Sequence, residues 1–171
     1  MYSGQMRALF VLPLLAGVAF ASEFEPTVKL RLAANCMLEL EARETKAARS
    51  APEESIWGYS VYNGKLYMGA GGFAPRSILT KATVILDRKS VALDVSGIGN
   101  PWLEKPYPPW FHWEDKKGLG VLRAAFSDGA EIYVVTWHLF REVSLKIEMQ
   151  HLGDEEIPWL KANQREKRQL D

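Results

Sequence analysis

From Val28 to Ala42 every even-numbered residue is apolar: Val28, Leu30, Leu32, Ala34, Cys36, Leu38, Leu40 and Ala42. The odd positions between them are mostly polar. A period of two is the side-chain repeat of a strand with one face in a core and one in water, whereas a helix would scatter these residues around its circumference. The stretch reads as one long strand onto which the others pair. At roughly 3.3 Å per residue it would reach about 50 Å if straight, so it is expected to bend, bulge or pass from one sheet into another. The fold expected is all-β: a single antiparallel sheet of about seven or more strands, curled as a meander, closed as a barrel or folded as a sandwich, with a short C-terminal helix.

The rest of the chain supplies the partners. Arg43 to Ser55 is polar, rich in alanine and broken by Pro52, which marks a connection. In Ile56 to Met68 the pair Asn63-Gly64 predicts a hairpin with a two-residue type I′ turn, setting Val61 opposite Leu66 and Tyr59 opposite Met68. Gly69 to Gly72 then gives a pliable loop. Two further strands are expected over Ile78 to Leu86 and Ser90 to Ser96, joined at Asp87-Arg88-Lys89, with Val91, Leu93 and Val95 turned to one side. From Leu119 to Gln150 the pattern is again sheet, with turns at Ser127-Asp128-Gly129 and Arg141-Glu142. After the second turn Val143, Leu145, Ile147 and Met149 alternate with polar residues and are assigned to a core face. Near the end, Pro158 followed by Trp159 and Leu160 predicts a helical tail over about 157–169, docked by those two residues.

The N-terminus carries an address. Arg7 precedes an apolar run from Ala8 to Phe20, and Ala19-Phe20-Ala21 places small residues where signal peptidase cuts. Residues 1–21 are therefore read as a secretory signal peptide and 22–171 as one β-rich domain, with Met6 an alternative start. The apolar run is too short to span a bilayer, which takes about 20 residues, so stable membrane insertion is not expected. Ser22 rather than Cys follows the cut, giving no basis for a lipid anchor. Of 21 basic and 21 acidic residues, cleavage removes Arg7 alone, leaving 20 against 21. So balanced a surface disfavours nucleic acid or an anionic membrane as partner. Cys36 is the single cysteine, so no internal disulfide can form, and its place among the apolar positions makes it a small buried hydrophobe. Export without disulfides suits a bacterial periplasm, with secretion beyond the cell the other possibility.

No reaction is written in the motifs. His112, His138 and His151 are 26 and 13 residues apart and show no metal-ligand spacing, and no nucleophile elbow is present. No cofactor or metal is expected. Glu39 and Glu41 would sit about 7 Å apart on one strand face, a separation that paired glycosidase carboxylates adopt, but acids on a solvated face are ordinary. Glu114-Asp115 beside Trp113 is the other acidic candidate, since an apolar neighbour can raise a carboxyl pKa.

One stretch departs from the rest. Asn100 to Lys117 holds four prolines and three of the six tryptophans. Prolines at this density exclude a central strand, so the stretch is read as a stiff loop. Its Trp102, Tyr107, Trp110, Phe111, His112 and Trp113 are the candidate binding residues, because rigid aromatic anchors lose little side-chain freedom on contact. The competing structural role is a plug folded over an open end of the sheet. The function expected is an exported, non-catalytic β-domain that binds a protein or other envelope macromolecule, with an inhibitor or immunity-type protein as one form. The alternatives are a binder of a small apolar ligand in a barrel-like cavity and a hydrolase of envelope polymers.

Overall fold

The computed structural model of the chain describes residues 27–46, 55–56, 59–69, 73–104, 106–127, 132–153 and 157–160. The expected signal peptide lies outside them, as do most of the 43–55 connection, Asp128-Gly129 and the tail from 161 onward. The described chain is built almost wholly of strands, eleven in all. They are β1 (Thr27–Ala33), β2 (Cys36–Glu44), β3 (Ser55–Ile56), β4 (Tyr59–Tyr62), β5 (Lys65–Met68), β6 (Ser77–Leu86), β7 (Lys89–Ala92), β8 (Phe111–Lys116), β9 (Leu119–Ser127), β10 (Ile132–Phe140) and β11 (Val143–Gly153). All strand pairs are antiparallel, and the strands form three sheets rather than one: β1-β2-β6-β7, β11-β10-β9-β8 and β3-β4-β5.

The fifteen-residue alternation is a hairpin, not a single strand. The chain turns at Ala34-Asn35, and Val28 pairs with Leu40 and Leu30 with Leu38. Up to Arg31 even positions face even positions, so the apolar residues of both strands share one face, and alternation alone cannot reveal that the strand has doubled back. A bulge at Leu32 takes up the odd residue near the turn. Asn35 ties the turn to the β6–β7 turn, where its Nδ2 donates to Asp87 Oδ1 at 3.0 Å and its carbonyl accepts from the Asp87 N–H at 3.1 Å.

The two four-stranded sheets share one core. Cys36, Leu38, Leu40 and Val84 from the first and Leu122, Phe126, Tyr133, Val135 and Trp137 from the second are all buried in a single cluster. The layers meet along β7 and β11, where Ser144 Oγ donates to Ala92 O and Lys146 pairs with Asp94 at 3.0 Å. The Asn63-Gly64 hairpin forms with the expected pairs, and φ is 50° and 70° at the two turn residues, as type I′ requires. Its face is mixed, with Met68 buried and Leu66 half exposed. Met68 fastens the small sheet to the core by accepting from the Gly99 N–H and donating to Gly97 O. The next residue, Gly69, has φ +84°, and a Cβ there would lie 2.2 Å from the Tyr133 ring.

Two assignments change on β8 and β11. Phe111 to Lys116 forms edge strand β8 instead of continuing the loop, because all four prolines precede it and an edge needs partners on one side only. Val143, Leu145 and Ile147 do not face the core and are 67%, 62% and 48% exposed. A register shift sets Thr136 opposite Glu148 but Trp137 opposite Lys146, with Ile147 as the extra residue. Before the bulge Ser144 and Lys146 take the inward positions, and after it Met149 does. The chain ends, among the described residues, with 158–160 in helical conformation behind Pro158, while the remainder of the expected helix lies outside them. Ile157 and Trp159 are buried with Ala125, Val134 and Leu152 in a second cluster, on the face of β9 and β10 turned away from the core.

Candidate binding cleft

The proline-rich stretch begins at a fixed corner. Asn100 has φ 44°, a left-handed conformation that asparagine tolerates better than most residues. Its Oδ1 accepts from the backbone N–H of Arg76 (2.7 Å) and of Ser77 (3.2 Å), and its Nδ2 donates to Gly69 O (2.9 Å). Pro101 follows with a locked φ, and Leu103 is buried in the core. Between these anchors Trp102 is held at φ 38° with its side chain 49% exposed. A bulky residue in that region costs on the order of 1–3 kcal/mol, so it persists only because its neighbours over-determine it.

A single 3-10 turn, Pro108–Trp110, leads into β8. The Trp110 N–H donates to Tyr107 O at 2.9 Å, and the Tyr107 and Trp110 rings meet edge to face at 6.2 Å. Tyr107 is 53% exposed. Together with Pro101, Pro106 and Ala125, the side chains of Trp102, Leu103, Tyr107, Trp110 and Phe111 line a cleft of about 200 Å³. Its walls are almost wholly apolar. Among the described residues of that lining, the polar side-chain atoms are the two indole N–H groups and the tyrosine hydroxyl.

Four of the six residues singled out in the sequence therefore converge: Trp102, Tyr107, Trp110 and Phe111. Phe111 forms the floor, buried and edge-on to Phe126 at 6.0 Å. The other two go elsewhere. Trp113 packs against the core and covers Gly120, where a Cβ would lie 2.2 Å from its ring. His112 points to the opposite face of β8 and stacks on Trp159, with centroids 5.9 Å apart and planes inclined by 19°. Strand alternation separates them, since Phe111 and Trp113 face one way and His112 the other. Leu103 in the loop and Phe111 at the start of β8 enter the core, while Trp102 and Tyr107 stay about half exposed. Pro101, Leu103, Pro106 and Ala125 were not singled out in the sequence, and Ala125 carries no local signal because only tertiary packing brings it to the cleft.

The acidic candidates are tied down. Glu114 accepts from Lys116 (2.5 Å), Arg123 (2.6 Å) and His112 (3.0 Å). The Lys116 hydrogen bond, with those of Arg123 and His112, outweighs the desolvation that opposes it and holds the carboxyl down at about 2. Glu39 and Glu41 each pair with a lysine, Lys29 and Lys81, at 2.7 Å. Burial, with help from the Asp87 charge, pushes the Cys36 thiol up to about 11, which keeps it protonated and unreactive at neutral pH. Among the described residues no group of three or more His, Cys, Asp or Glu is placed to hold a metal ion, and no helix is long and apolar enough to cross a membrane.

Fold and cleft together define a layered antiparallel β-domain with an aromatic cleft at the entry to an edge strand. Compared with models of known protein families, with curated proteins and with solved structures, the chain finds no significant match in any of the three.

Proposed function

We propose that the protein is an exported, non-catalytic binding domain that takes an exposed apolar side chain of another protein into the aromatic cleft. The observation that carries this reading is the pair Trp102 and Tyr107, about half exposed on a backbone stiffened by prolines and pinned by Asn100. Large apolar rings left in water at a fixed geometry are what interface anchors look like before a partner arrives. A volume of about 200 Å³ suits one side chain, whereas sites for drug-sized ligands run to about 300–1,000 Å³. The near absence of polar lining also favours an apolar group over a sugar, whose hydroxyls would go unmatched.

Two observations weigh against the alternatives. A general acid has to hold a proton near the working pH, and Glu114, tied to Lys116 and Arg123, is ionised throughout that range. A ligand enclosed by the sheets needs room that Leu38, Phe126, Tyr133 and Trp137 already occupy. Export rests on the Ala8 to Phe20 run and the Ala19-Phe20-Ala21 site, and the mature protein is expected to begin at Ser22 on N-terminal sequencing. The binding reading is tested by recovering partners from an envelope fraction with the wild-type protein and with a Trp102→Ala, Tyr107→Ala double variant. The double variant is expected to lose a protein that the wild type retains. Equal recovery of every protein by both would remove the cleft from the account.

A further inference from the structure

The wall of the cleft formed by Tyr107 and Trp110 is held from a distance. The turn Pro108–Trp110 has no side-chain cap at Tyr107, and neither Pro108 nor Pro109 has an N–H to offer a neighbour. Its internal bonds use the carbonyls of Tyr107, which accepts from Trp110, and Pro108, which accepts from Phe111. The carbonyl of Pro109 takes its bond from the Trp159 indole, fifty residues further on, at 2.8 Å. That indole is itself fixed: it is 8% exposed, packs with Ala125, Val134 and Leu152, and stacks on His112, which is held by Glu114. Trp110 touches both hydrophobic clusters and lies where the segment Ile157–Leu160 and the cleft meet.

We propose that Trp159 is the positioning residue of the cleft: its hydrogen bond to the Pro109 carbonyl sets where Tyr107 and Trp110 stand, and so couples docking of Ile157–Leu160 to occupancy of the cleft. The inference rests on the reading of the cleft as a binding site. By linkage, a group that fills the cleft tightens the docking of that segment, and release of the segment weakens the cleft for its occupant by the same factor. Loss of one such hydrogen bond, with its acceptor left behind, corresponds to about fivefold in affinity.

The test uses the full chain labelled with 5-fluorotryptophan, followed by fluorine NMR, with N-acetyl-leucinamide as a stand-in for an inserted side chain. Trp159→Phe keeps a ring to stack on His112 but has no N–H, and Trp159→Ala lacks both. The Trp137 signal, deep in the core, reports whether the fold is intact. Positioning through the hydrogen bond predicts that Trp159→Phe shifts the Trp110 signal as Trp159→Ala does, leaves Trp137 in place and weakens the probe about fivefold. If Trp159 contributes packing alone, Trp159→Phe, which keeps part of that packing, perturbs the Trp110 signal and probe affinity clearly less than Trp159→Ala does, and the inference is overturned. If the probe moves neither Trp102 nor Trp110 in the wild type, it is the reading of the cleft that fails, and the inference falls with it.

Discussion

Asn100 is the residue on which the cleft turns. Three hydrogen bonds from its side-chain amide join the start of β6, the glycine after β5 and the loop that carries Trp102. Alanine at this position would leave two backbone N–H groups and one carbonyl without partners and would sit poorly at φ 44°. Asn100→Ala is expected to cost about 2–4 kcal/mol in urea unfolding, a value that would fall below about 1 kcal/mol if these bonds were incidental. Glu114 gives a second prediction at this scale. Its carboxyl titrates at about 2 when folded against 4.5 ordinarily, so its ion pairs add stability above pH 4.5 that fades as pH falls toward 2. The urea midpoint of the wild type should therefore drop more steeply between pH 4.5 and 2 than that of Glu114→Gln. Parallel curves would show that the three partners hold Glu114 only weakly.

Among the elements, what could be read from the sequence was whatever local chemistry decides. The hairpin at Asn63-Gly64 is specified by two adjacent residues, and the turn at Asp87-Arg88 by polar residues between apolar runs. Behind Pro158, Trp159 is buried and Leu160 partly so, while the remainder of the expected helix lies outside the described residues. What could not be read depends on contacts between distant strands. Val28 to Ala42 keeps its parity through a turn, so nothing in the pattern distinguishes a folded hairpin from one long strand. The prolines ahead of Phe111 suggest a loop there, yet they stop at Pro109 and the strand begins two residues later. On β11 the bulge at Ile147 turns Val143 and Leu145 outward despite strict alternation. The consequence is measurable, because apolar side chains that bury little contribute little. Leu145→Thr is expected to change stability by less than about 0.5 kcal/mol in urea unfolding, whereas Leu122→Ala, in the core, costs about 2–5 kcal/mol. A comparable loss for both would mean that β11 faces a core after all.

The molecule as a whole divides its labour between layers. Two sheets without a disulfide supply a filled core, and the cleft is assembled at one corner from a strained loop, a 3-10 turn and an edge strand. On the proposed reading, the sheets hold Trp102 and Tyr107 so that a partner would meet them without their first having to be ordered. The most direct test of that arrangement is site-specific photocrosslinking in cells that make the protein. p-Benzoylphenylalanine at Tyr107, in the cleft, is compared with the same group at Leu66, which is also half exposed but lies on the small sheet. A covalent adduct of one defined mass from position 107 and none from position 66 is the result the account predicts. No adduct from position 107, or the same adducts from both positions, would contradict it.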